Sequence, residues 1–100
     1  MKHILACAAL TTAFLTQPAM AQDKAQSCFH QAQVVAAIQK ARQERVGERQ
    51  VDAYVRERAI WPENFNSAIP LITPWVYEMK MKVVRTENLA AAWQGLCVQQ

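Results

Sequence analysis

Three cysteines, Cys7, Cys28 and Cys97, reduce to one widely spaced pair once the N-terminal segment is read as an export signal. Lys2 and His3 precede an apolar-to-neutral run from Ile4 to Leu15, followed by Thr16-Gln17-Pro18 and the small-x-small sequence Ala19-Met20-Ala21. That order matches a secretory signal cleaved after Ala21. As a membrane anchor the run is short, because a bilayer span takes about 20 apolar residues. As a lipoprotein signal, Ile4-Leu5-Ala6-Cys7 fails on order, since most of the hydrophobic region follows Cys7. Residues 1–21 are therefore expected to be removed, exposing Gln22, which can cyclise, and leaving residues 22–100 as one small domain. An exported chain with a single cysteine pair predicts a Cys28–Cys97 disulfide and a periplasmic or secreted location.

Composition sets the fold class. Losing Lys2 leaves ten Lys and Arg against eight Asp and Glu, a net charge near +2 that gives no case for nucleic acid. Glycine occurs only at Gly47 and Gly95. Alanine and glutamine are frequent, and Val and Ile are scattered instead of alternating, which predicts helices. A domain this small buries about two-thirds or less of its unfolded surface, so a covalent staple is expected. The resulting expectation is an all-α bundle of about four helices, the third kinked by proline, closed by the disulfide.

The first helix is expected from Ser27 as N-cap, with residues 22–26 as a polar lead-in. Cys28, Ala32, Val35 and Ile38 recur at helical spacing, and Val34, Ala37 and Ala41 widen the stripe. Gly47 is expected to end it as a left-handed cap or hinge. A second helix over about 48–60 places Val51, Tyr54, Val55 and Ala59 on one face, with Asp52 and Arg56 as a favourable pair outside. From Ser67 to Arg85, Ile69, Ile72, Val76, Met79 and Val83 give a helical stripe interrupted by Pro70 and Pro74. Either one helix kinks at Pro74 or two short ones meet there, with Thr73 as N-cap and Pro74 in the first turn. Apolar residues all round that segment predict a central, mostly buried helix. Thr86 is expected to cap the last helix, whose face is Leu89, Trp93, Leu96 and Cys97.

No motif for chemistry emerges. Cys28 and His30 stand about 200° apart on a helix and do not face each other. The carboxylates Glu44, Glu48, Asp52, Glu57, Glu63, Glu78 and Glu87 are interleaved with Arg and Lys, as on a solvated surface. No phosphate loop or nucleophile elbow occurs, and His30 is the one histidine after the signal, too few ligands for a metal. No enzyme activity, metal or cofactor is expected. Arg42, Arg45 and Arg49 would align only if the first helix ran on through Gly47, and a salt-bridged outer face is preferred. Trp61, Pro62 and Phe65 form the candidate partner-binding patch if exposed, although rings in such a connection more often fold over the core. The expected function is non-catalytic binding of another protein, or of itself, as an accessory or inhibitor of the immunity type. Membrane contact is expected only through an uncleaved signal.

The alternative is an envelope stress chaperone, and a lesser one is an enzyme whose site no motif marks. In size, helical composition and disulfide closure the chain resembles small acid-stress periplasmic chaperones, a likeness of outline that no motif carries. Acid would neutralise most of the eight carboxylates, leaving about ten positive charges to repel one another.

Overall fold

A computed structural model describes residues 19–100, and most of the expected signal lies outside them. Among the described residues the chain is all-helical, with five helices: α1 (Ala19–Gln43), α2 (Val51–Arg56), α3 (Ala68–Tyr77), α4 (Met81–Thr86) and α5 (Leu89–Val98). Short 3-10 turns at Glu48–Gln50 and Glu63–Ser67 lead into α2 and α3.

α1 is the axis of the molecule. It packs against α2, α3, α4 and α5, which replaces the expectation of a central third helix. Its buried positions, Cys28, Ala32, Val34, Val35, Ile38 and Ala41, are the stripe read from the sequence. The helix starts earlier than Ser27. Ala19, Ala21, Gln22, Lys24, Ala25 and Gln26 are good helix formers with no Gly or Pro among them, so nothing between Ala19 and Ser27 interrupts the helix. Ser27 is therefore an interior residue, and its hydroxyl accepts a hydrogen bond from the Gln31 amide (3.1 Å). The last three residues of the expected signal, Ala19–Ala21, lie in this helix.

α1 ends four residues before Gly47. Arg45 takes the left-handed conformation, at φ 64°. The Val46 N–H bonds the Ala41 carbonyl (2.9 Å) and the Arg45 N–H bonds the Arg42 carbonyl (3.0 Å), the pairing of a Schellman cap. Val46 then packs on the core while Gly47 is extended (φ −65°, ψ 147°). With the helix closed at Gln43, Arg42, Arg45 and Arg49 form no stripe. Arg42 turns inward instead: its guanidinium lies 4.9 Å from the Tyr77 ring centroid and donates to the Met79 carbonyl (3.3 Å).

α3 passes through Pro74 without ending there. Pro70 falls in the first turn, where N–H groups have no helical partner, so Pro74 removes one interior bond. Ile69, Ile72, Thr73 and Val76 are buried on one face, and that burial outweighs the lost bond. The Thr73 hydroxyl donates back to the Ile69 carbonyl (2.6 Å), so it is no cap. The break comes three residues after the helix, at Lys80, whose extended backbone opens α4. α3 is also one-sided, for Leu71 is 78% exposed. α5 is capped by Asn88, whose side chain accepts from the Ala91 N–H (2.9 Å). Thr86 belongs to α4 and donates to the Lys82 carbonyl (2.8 Å).

Glutamines on α1 fasten the α4–α5 connection. The Gln39 amide donates to the carbonyls of Val84 (2.7 Å) and Glu87 (2.8 Å), and Gln43 donates to Val84 as well (2.8 Å). These are carbonyls that the short α4 cannot satisfy from its own turns.

Candidate functional site

The Cys28–Cys97 disulfide joins the N-terminal half of α1 to the last turn of α5, with Cα atoms 5.7 Å apart. One turn beyond Cys28, Gln31 organises the surroundings. Its side-chain oxygen accepts from the Trp93 indole N–H (3.0 Å). Cys97 Sγ lies 3.7 Å from the same oxygen; a disulfide sulfur carries no proton, so this is a packing contact.

Two surface concavities meet at Gln31 and Trp93. One, of about 360 Å³, is walled by Asn64, Phe65, Ser67, Ala68, Leu71 and Ile72. The other, of about 280 Å³, is bounded by Leu96, Cys97 and Gln100. Neither has a charged side chain in its lining. Leu71 and Leu96 (56% exposed) border them, and Trp93 is held edge-on to Trp75 at 5.3 Å between centroids. The result is a two-lobed apolar cleft with amide and hydroxyl groups at intervals, suited to holding uncharged side chains.

The aromatic loop divides between core and cleft. Trp61 is 7% exposed and its indole N–H donates to Asn66 Oδ1 (2.8 Å), so its ring belongs to the core. Pro62 is exposed, and Phe65 is half-buried in the cleft wall. His30 is a boundary residue, partly exposed. Its ring packs on Phe65 at 4.9 Å and its Nδ1 pairs with the Gln33 side chain (3.0 Å). Sequence reasoning missed Leu71, Gln31 and Leu96 as surface features. For Leu71 the signal was present: it stands about 200° from Ile69 on the wheel, off the stripe that Ile69, Ile72 and Val76 define.

A larger groove of about 430 Å³ lies between α1 and the α4–α5 connection. Its lining mixes Lys40, Glu44, Arg85 and Glu87, and the Gln39 and Gln43 amides in it are already engaged with backbone. The perturbed titrating groups sit elsewhere. A hydrogen bond to Glu44 holds the Tyr54 phenol above its ordinary pKa of 10.0. Burial raises Tyr77, with nearby Arg42 partly offsetting it. Asp52 and Arg56 pair on the surface as expected. Among the described residues no group of three or more His, Cys, Asp or Glu could hold a metal ion.

Comparison with protein families, with curated proteins and with solved structures finds no match to this chain. No helix among the described residues is long and apolar enough to cross a membrane.

Proposed function

We propose that residues 22–100 form a small exported protein that acts by binding another protein, as an accessory subunit or an inhibitor of the immunity type. The observation that carries this reading is the cleft at Gln31 and Trp93. Leu71 stands 78% exposed at its edge, and no charged side chain lines it. An exposed leucine continuous with an uncharged apolar concavity makes a patch of the kind that marks interfaces. The partner segment is accordingly uncharged and supplies apolar side chains. The oxidised cysteine pair supports a periplasmic or secreted setting, where disulfides persist.

Leu71→Asp tests this directly, because an exposed position tolerates the change without unfolding the domain. The wild-type protein, immobilised and exposed to envelope extract, should retain one defined partner. Leu71→Asp, with an unchanged helical circular dichroism spectrum, should lose it. Retention of the same partner by both proteins, or of none by either, ends the proposal. Capture of unfolded client chains in acid, in place of a defined partner, replaces it with the stress-chaperone reading.

A further inference from the structure

We propose that the disulfide is chemically one-sided, with Cys97 as its thiol-exchange half and Cys28 as a shielded leaving half. The reagent class is a small monothiol. The two sulfurs belong to residues in unlike surroundings. Cys28 is 1% exposed, inside a helix that continues for nine residues before it and fifteen after it. Cys97 is half-buried, borders the open lobe of the cleft with Leu96 and Gln100, and lies one residue from the end of α5. Helix ends fray and open locally at low cost, whereas a position inside α1 opens only with much of the fold.

Thiol–disulfide exchange proceeds by attack of a thiolate on one sulfur, in line with the bond to the other, so access decides which sulfur is taken. A thiolate entering from the lobe beside Leu96 and Gln100 reaches Cys97. Its sulfur forms a bond to Cys97 Sγ, and the Cys97–Cys28 bond breaks. Cys28 departs with the electron pair and takes up, through solvent, the proton that the attacking thiol gave up. A second small thiol then attacks the mixed disulfide, freeing Cys97 and leaving as the small-molecule disulfide. The protein is reduced and two thiols are oxidised. The opposite order would bring a thiolate to Cys28, which solvent hardly touches.

The step has a structural consequence at the cleft. Leu89 and Trp93 hold the first two turns of α5 to the core, whereas Leu96 and Val98 in the last turn are exposed. Exchange at Cys97 therefore releases the last turn of α5 and opens the lobe beside Trp93, while the body of α1 stays packed.

The wild-type protein provides the test. Native protein is treated with millimolar glutathione, quenched in acid at the earliest times, and digested with trypsin. Cys28 and Cys97 then fall in separate peptides, after Lys24 and after Arg85 respectively. The expected result is a glutathione adduct on the Cys97 peptide at least about tenfold more abundant than on the Cys28 peptide. The preference should vanish when the same reaction is run in denaturant. A native adduct on Cys28, an equal division between the two, or no adduct until the protein unfolds overturns the proposal.

Discussion

Where the C-terminal half of α1 meets α2 and α3, Val34, Val35, Ile38, Ala41, Val51, Val55, Ile69 and Val76 are sealed from solvent. At the junction of its N-terminal half with α5, Trp93 and Cys97 are half-exposed and a glutamine sits between them. The first region is held by dry apolar packing that no single group dominates. The second is held by a covalent bond and an indole–amide hydrogen bond. Packing is cooperative and opens all at once, but a staple fails at one point. The stapled end is therefore where this molecule can open to a partner or a thiol without losing its body.

The largest test of that contrast is removal of the staple. The Cys28–Cys97 bond closes a loop over a sequence separation of 69 residues, worth roughly 4 kcal/mol on chain-entropy grounds. Cys28→Ala with Cys97→Ala should lose about that much stability in urea denaturation. Hydrogen exchange should quicken first in α5, with Val35 and Ile38 amides the last to exchange. Uniform loss of protection along the chain would erase the distinction between the two ends.

Next in size is a cavity at the packed end. Ile38 is fully buried at the centre of the core, and Ile38→Ala should cost about 3 kcal/mol. The loss should persist when the disulfide is reduced, since the two sites act at separate ends. A cost below about 1 kcal/mol would show that the apolar end is not where the stability resides.

Gln39→Ala tests the amide stitching. It leaves the Glu87 carbonyl without its side-chain donor, although Gln43 still serves Val84. A cost of about 1–2 kcal/mol is expected, read as a lower urea midpoint at unchanged slope. No loss at all would move α4 and α5 into the self-sufficient part of the fold.

Tyr77 ties the packed end to the loop after α1, its hydroxyl donating to the Val46 carbonyl (2.6 Å). Tyr77→Phe should cost about 1 kcal/mol near neutral pH. Burial raises the phenol above its ordinary 10.0, so the native state holds this proton more tightly than the unfolded chain does. The stabilisation is complete below about pH 10 and is lost as pH climbs through the raised value. Tyr54 is raised too, through Glu44. Tyr77→Phe should therefore flatten the alkaline fall in stability without abolishing it, and an unchanged alkaline profile would assign the fall to other groups.

The helical class, the α1 stripe and the cysteine pair were legible because each rests on a pattern repeated over many residues. What was illegible turned on single positions. Pro74 reads as a break, yet the buried face around it carries α3 onward. Ser27 and Thr86 read as caps, but neighbouring residues favour helix equally and local propensity cannot choose between them. Trp61 and Phe65 are four residues apart in one loop, yet Trp61 ends in the core, its indole bonded to Asn66, and Phe65 in the cleft wall. The cleft was hidden for a related reason. Its walls come from α1, the turn before α3, α3 itself and α5, brought together only by the tertiary fold.

The smallest effect separates a sequence rule from a structural one. Glycine is the usual residue in the left-handed conformation at a helix end, and that rule places it at Gly47. The structure places it at Arg45 and leaves Gly47 in an extended conformation open to any residue. Arg45→Gly removes a left-handed cost of about 1–2 kcal/mol but returns roughly half of that in unfolded-chain entropy. A gain near 0.5 kcal/mol is expected, a rise of a few degrees in Tm. Gly47→Ala runs the other way in logic: a Cβ there meets only the end of the flexible Gln50 side chain, so the change should be neutral or slightly stabilising. If Gly47→Ala instead costs about 1 kcal/mol or more and Arg45→Gly brings no gain, the helix ends at Gly47 and the Schellman cap over Val46 is wrong. Because Val46 also receives the Tyr77 hydroxyl, that result would reach the packed end of the molecule as well.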